Sequence, residues 1–207
     1  MPPLAVEHSN RELRGRLSQI TQRPLETQEL LIRDLQPPYR HSISLDEPAK
    51  KPSYNCVEYA FDLINLPDDI RHAVDGLESW RRQRQLPRIG PSDTTFVNFL
   101  IERGALNEPI HAESGDIIVY LDKKRVRHAG KMQGEMVCSK WNYDGHRWRH
   151  RPYEVPIGYG ADVRRFKSMT TNEVLQLMSK FMDEIRHADG HHNIKRLLES
   201  LYHWPIL

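Results

Sequence analysis

Cysteine is scarce in this chain of 207 residues, which contains only Cys56 and Cys138. Small secreted domains held together by disulfides need more cysteines, so we expect both thiols to be reduced and the fold to depend on an apolar core. Long apolar runs are also missing. No stretch approaches the roughly 18 residues that a membrane-crossing helix requires, and we therefore expect no membrane span.

A strong excess of charge of one sign is absent as well. Thirty Lys and Arg stand against 28 Asp and Glu, for a net charge of +2. This balance is too mild to indicate nucleic-acid binding. Residues 1–8 lack the basic start and apolar centre of a secretory signal. We expect the protein to be made in the cytoplasm, with any export through a specialised secretion system.

Apolar residues recur at helical spacing in the first half of the chain and again at its end. Capping boxes precede two of these stretches, at Ser9 and at Thr170. The predicted helices span 9–20, 25–35, 56–65, 67–80, 94–103, 170–185 and 194–202.

From Gly115 onward the period changes to that of β-strands. The predicted strands span 116–121, 125–132, 135–141 and 161–166, with residues 142–151 as a loop. A tight turn at residues 133 and 134 would make a hairpin that places Ser139 roughly opposite His128. Helices followed by an antiparallel sheet predict an α+β fold. We divide the chain into a helical N-terminal extension (1–50), a central domain (51–167) and a C-terminal helical extension (168–207).

Cys56 is the strongest candidate for chemistry. It follows a proline-punctuated loop and opens a predicted helix, where free backbone N–H groups and the helix dipole favour a thiolate. The ordinary alternative is a small apolar side chain packed in the core. His128 stands where a base would be needed and favours the catalytic interpretation.

Other clusters of polar residues support weaker hypotheses. His187, His191 and His192 with Asp189 could ligate zinc, but the sequence offers no supporting ligand elsewhere. The loop containing His146 and His150 could contact RNA through its arginines and tryptophans, and a basic cluster at 81–84 could contact an anionic polymer. We expect instead no metal, no cofactor and no nucleic acid.

Three segments in order resemble the papain-like NlpC-type superfamily, which includes cell-wall peptidases and the CHAP amidases. They are Asn55-Cys56-Val57-Glu58-Tyr59-Ala60, Gly115-Asp116-Ile117-Ile118-Val119-Tyr120 and His128-Ala129-Gly130. Residues 139–141, His150 and residues 159–160 also resemble a less characterised bacterial branch. The resemblance covers about residues 53–167. It departs from the family at the third catalytic position, for which Ser139 and His150 are the candidates.

The resemblance implies a papain-like core and a division of roles. Cys56 would attack a carbonyl, and His128 would take the proton and return it to the leaving amine. Ser139 or His150 would orient the imidazole. The backbone N–H of Cys56, with the side chain of Tyr54 or Asn55, would form the oxyanion site.

The activity implied is that of a cysteine-dependent amide hydrolase acting on peptidoglycan, as an antibacterial effector toxin. Its partners would be an immunity protein or a component of the secretion machine. One alternative is a deamidase, transglutaminase or protease acting on a target-cell protein. Another is a binding module without catalysis.

Overall fold

The structure is a computed structural model that describes residues 4–36, 39–51, 53–65 and 94–187, with the backbone alone for 4–9 and 185–187. The helices predicted over 67–80 and 194–202, the basic cluster at 81–84, and Asp189, His191 and His192 lie outside these ranges. No helix within them is long and apolar enough to cross a membrane.

The described residues form helices and one antiparallel sheet, so the α+β prediction is confirmed. The helices are α1 (Leu4–Ile20), α2 (Leu25–Arg33), α3 (Cys56–Ala60), α4 (Thr94–Glu102) and α5 (Thr171–His187). The strands are β1 (Ser44–Glu47), β2 (Ile117–Asp122), β3 (Arg125–Gln133), β4 (Met136–Lys140), β5 (Arg147–His150) and β6 (Asp162–Phe166), and a 3-10 turn spans Ile157–Tyr159.

The sheet has six strands in the order β1-β5-β4-β3-β2-β6. Sequence patterns missed two of them, because β1 falls in the expected helical preface and β5 in the expected loop. In β5 the alternation is nevertheless present: Trp148 and His150 are buried, whereas Arg149 between them is exposed. Arg147 and Arg149 made this segment resemble a loop, although it is a strand with one buried face.

Each face of the sheet packs against its own helices. Val119 and Ala129 belong to a core that includes residues of α3, α4 and α5, and we call this side the α3 face. Ile118 and Tyr120 belong to a second core with residues of α1 and α2, the α1 face. Alternate residues of one strand therefore enter different environments.

Two helices differ from the prediction in their bounds. The first, α1, begins at Leu4 and runs through the expected capping box at Ser9. The third, α3, ends at Ala60 rather than near residue 65, because the chain turns back at Asp62, whose φ of 58° is left-handed. The capping box at Thr170 is confirmed, since Thr170 N–H and Oγ1 both donate to Glu173.

A buried arginine ties α1 to the segment that covers the sheet. Arg14 donates through Nε to the Val155 carbonyl at 3.1 Å and through Nη2 to the Gly160 carbonyl. These bonds satisfy two backbone acceptors and hold the 3-10 turn against the α1 face. Tyr159, at the end of that turn, is thereby positioned over the sheet.

Candidate active site

Cys56 occupies the first position of α3, as predicted, because Asn55 caps the helix. Asn55 Oδ1 accepts from the N–H of Val57 at 2.8 Å and of Glu58 at 3.0 Å. Glu58 returns the contact by accepting from the Asn55 N–H at 2.7 Å, which completes a capping box. The local sequence therefore determines where the thiol emerges.

The surroundings of the thiol do not favour the thiolate. Cys56 is half-buried against the core of the α3 face. Burial raises the pKa of the thiol to about 11, although the N–H groups of Ala129, Cys56 and Val57 act to lower it. A helix of five residues contributes little dipole to offset this desolvation. The raised pKa favours the neutral thiol at pH 7 over the expected thiolate.

His128 lies on the α1 face of β3, directly across from Tyr120. Its ring is 2% exposed and stacks on Tyr159 with centroids 4.0 Å apart and planes 15° apart. Its Nε2 is buried and has no hydrogen-bond partner among the residues that the structure describes. Burial, with a further contribution from nearby His150, lowers the pKa of His128 well below its usual value. The ring is therefore neutral and retains a lone pair that can accept a proton.

The two predicted catalytic residues lie on opposite faces of the sheet, at the same part of β3. The described pairs of the β3–β4 ladder end at Lys131 with Cys138, two residues short of Ala129. The N–H of Ala129 faces the sulfur of Cys56, and His128 is the preceding residue. Cys56 packs with the α3 face, and His128 lies on the α1 face. Within the described residues no hydrogen bond joins them, so their pairing stays a prediction.

Ser139 does not lie opposite His128. The β3–β4 register continues from Lys131 and Cys138 to place Ser139 across from Gly130. A Cβ on that glycine would lie 2.9 Å from the Ser139 Cβ, which confirms their proximity. The predicted pairing was therefore wrong by two residues.

The two candidates for the third catalytic residue instead bind each other. Ser139 Oγ lies 2.8 Å from His150 Nε2, and His150 Nδ1 lies 2.8 Å from the Arg151 carbonyl. The carbonyl can only accept, so Nδ1 carries the proton and Ser139 donates to Nε2. Trp141 Nε1 donates to Ser139 at 3.1 Å. Both candidates are completely buried in a network that satisfies their polar atoms.

The proposed oxyanion side chains also have structural partners. Tyr54 donates to Glu47 at 2.8 Å and accepts from Arg147 at 3.3 Å. Burial, then the bond to Glu47, raises the pKa of Tyr54 to about 12. The Asn55 oxygen is occupied by the helix cap. Of the predicted oxyanion donors, the backbone N–H of Cys56 does face the sulfur.

Lys140 was not predicted as a site residue, yet it is buried on the α3 face with 1% exposure. Its Nζ lies 4.4 Å from the centroid of the Tyr54 ring. Burial lowers the pKa of its amine. The sequence signal for its burial was a lysine in an otherwise apolar strand. Because side chains alternate between the two faces of a strand, Lys140 lies on the same face as Cys138. The role of Tyr159 as a cover for His128 had no comparable signal.

The described residues hold no cluster of metal ligands at this site, and a cavity that they line lies elsewhere. Across the described ranges, no three His, Cys, Asp or Glu side chains converge as metal ligands. A cavity of about 450 Å³ lies beside the β3–β4 turn, where Met132, Arg151 and Arg165 contribute to its lining. None of the predicted site residues lines it. The candidate site is therefore defined by Cys56 and His128 and not by this cavity.

Comparison with known proteins adds no assignment. No protein-family model, curated protein or solved structure matches this chain significantly. The papain-like architecture therefore stays a prediction, and any functional argument depends on the residues themselves.

Because His128 and His150 are buried, we expect the folded protein to lose stability in acid. Burial lowers the pKa of His150 from 6.5 to about 4, so below pH 6.5 the unfolded chain binds protons that the folded chain excludes. The free energy of unfolding should consequently fall by roughly 2 kcal/mol between pH 7 and pH 5 from His150 alone, and His128 adds to this fall. Urea titrations at the two pH values measure it. In His150→Asn the decrease in the free energy of unfolding between pH 7 and pH 5 should be smaller by the contribution of His150. A wild-type free energy of unfolding that does not change between these pH values would contradict the prediction.

Proposed function

We propose that the chain is a cysteine-dependent amide hydrolase with Cys56 as nucleophile and His128 as base. The observation that carries the proposal is the thiol at the capped start of α3, facing the N–H of Ala129, the residue after His128. Cys56 is partly exposed as a residue, and the proposal requires that a substrate reach its sulfur.

The mechanism begins from an uncharged pair. A thiol with a raised pKa and a histidine with a lowered pKa do not form a resting thiolate–imidazolium pair. His128 therefore acts as a general base that removes the thiol proton as sulfur attacks the carbonyl carbon. The proton then passes to the departing amine, leaving a thioester on Cys56. Water, deprotonated by His128, hydrolyses the thioester and restores the thiol.

The arrangement of rings suits this role. The Tyr120 and Tyr159 rings flank the His128 ring, the former at 5.6 Å between centroids. Tyr159 stacks on the imidazole and Tyr120 contacts it at a tilt, so packing orients the ring without a hydrogen-bonded third residue, the task expected of Ser139 or His150. Apolar contacts also keep the ring neutral, because desolvation disfavours the imidazolium.

The substrate we propose is a peptide or amide bond of peptidoglycan. This step rests on the resemblance of three short segments to cell-wall hydrolases and is an analogy at the level of the family. On the same analogy the protein is an effector toxin delivered by a secretion system, with an immunity protein or a delivery component as partner.

Purified sacculi test the proposal directly. Wild-type protein should release new muropeptides that chromatography and mass spectrometry resolve, and protein alkylated at Cys56 should release none. If sacculi stay intact while protein substrates are cleaved, lose ammonia or become cross-linked, the protein-directed alternative is correct. If every substrate stays intact and Cys56 is inert to iodoacetamide, the chain is a binding module.

A further inference from the structure

We infer that the cavity beside the β3–β4 turn binds a small acidic zwitterion, a molecule with two carboxylates and one ammonium group, such as glutamate or an acidic dipeptide. The guanidinium groups of Arg151 and Arg165 take the carboxylates, and Glu135 takes the ammonium group. None of the residues of the proposed hydrolase lines this cavity, so the inference does not depend on that proposal.

The cavity lies on the α1 face of the sheet. Its volume of about 450 Å³ is within the range of roughly 300–1,000 Å³ that small-molecule sites occupy. Met132, which is 2% exposed and belongs to the core of the α1 face, contributes an apolar wall. Arg165 is on β6 opposite Ile118, a residue of the same core. Arg165 is nevertheless exposed, so the cover of this face is incomplete here and leaves room for a ligand.

The two arginines of the cavity are unpaired. Among the residues that the structure describes, neither Arg151 nor Arg165 donates from its guanidinium group to an acceptor. Arg164, the residue before Arg165, donates twice to Glu108, at 2.9 and 2.7 Å. Other arginines that pair with carboxylates are Arg103, Arg127 and Arg147. Each free guanidinium group can bind one carboxylate through two parallel hydrogen bonds, so the cavity is suited to two carboxylates.

Glu135 supplies the opposite charge. It lines the same cavity, and within the described part of the chain its carboxylate pairs with neither Arg151 nor Arg165. The cavity therefore keeps its own anion and cations apart. Two cations and one anion are complementary to a ligand with two anions and one cation. A simple dianion would be repelled by Glu135, and a simple amine would be repelled by the arginines.

The backbone that carries these groups is held in place. Ser114 Oγ accepts from the Gly134 N–H at 2.8 Å, which ties the loop before β2 to the turn that carries Glu135. The Ser114 hydroxyl retains its hydrogen for an acceptor in the cavity. The Arg151 N–H donates to the Glu154 carboxylate, and the Glu154 N–H donates to the Arg151 carbonyl, each at 3.0 Å. Binding a ligand between fixed walls costs less conformational entropy than ordering a loop around it.

Three ligands of similar size test the charge pattern. Glutamate carries all three charges, glutarate lacks the amine, and glutamine has an amide in place of one carboxylate. At constant ionic strength, the backbone amide NMR signals of Ser114 and Gly134 should shift saturably with glutamate, with a dissociation constant of about 1 mM or lower. Glutarate and glutamine should each bind about fivefold more weakly, because each lacks one of the three charges.

Substitutions in the cavity separate the contributions of its charges. Arg151→Met and Arg165→Met should each weaken glutamate binding by about fivefold. Glu135→Gln should weaken glutamate by a similar factor without weakening glutarate, which has no ammonium group. All three side chains are exposed, so the core stays intact. Arg149→Met is the matched control, because Arg149 is also exposed but does not line the cavity, and its affinity for glutamate should equal that of the wild type.

Several results would overturn the inference. They are the absence of saturable shifts up to about 20 mM glutamate, equal affinities for the three ligands, and equal weakening by Arg149→Met and Arg165→Met. Tighter binding of inorganic phosphate than of glutamate would also refute the zwitterion and would show a simple anion site instead.

Discussion

Hydrolysis should disappear in Cys56→Ala, with an expected loss of at least about a thousandfold in rate. In the proposed mechanism the sulfur forms the covalent intermediate, so no neighbouring group can replace it. The fold should survive, because Asn55 caps α3 through its own side chain and accepts from Val57 and Glu58. Release of soluble fragments from sacculi measures the rate, and the melting temperature reports the fold.

The other cysteine supplies the control. Cys138 is completely buried on β4, opposite Lys131. Cys138→Ala should lower stability through a small cavity and leave hydrolysis near the wild-type rate. Full activity in Cys56→Ala, or an equal loss in both variants with both proteins folded, would remove Cys56 from the mechanism.

The same assay tests the base. His128→Ala should lose hydrolysis to a similar extent, whereas Cys56 in that variant should still be alkylated by iodoacetamide above about pH 11, where the thiol ionises without help. Retained hydrolysis in this variant would show that the imidazole is not the proton acceptor.

Gly160→Ala should destabilise the fold by about 3 to 5 kcal/mol. Gly160 has a φ of 98°, which side chains rarely adopt, and a Cβ there would lie 2.2 Å from the carbonyl oxygen of Leu121. That oxygen belongs to the backbone of β2 and cannot move aside cheaply. Displacing this residue would also disturb the Arg14 contact and lift Tyr159 from the His128 ring. Urea denaturation measures the loss.

A neighbouring glycine provides a matched control two residues away. A Cβ on Gly158 would meet nothing within 4 Å, and its φ is in the ordinary range. Gly158→Ala should therefore leave stability within about 0.5 kcal/mol of the wild type. Equal stabilities for the two variants would mean that the 3-10 turn is not packed against β2 as described.

The register of one hairpin illustrates where sequence reasoning stops. The prediction put the β3–β4 turn at residues 133 and 134, whereas Gln133 pairs with Met136 and the turn is Gly134 with Glu135. Shifting a turn by one residue shifts the pairing by two. Ser139 therefore faces Gly130 instead of His128. The position of a turn depends on small differences in backbone strain between neighbouring positions, and the amino-acid sequence of the turn rarely distinguishes them.

Local patterns determined the α+β order, the capped start of α3 at Cys56 and the strand that begins after Asp116, because each depends on neighbours in the chain. The pKa directions of Cys56 and His128, the Ser139–His150 pair and the burial of Lys140 were decided by the tertiary structure. Desolvation comes from residues far apart in sequence, so the charge of a side chain is set only when the two faces of the sheet are covered.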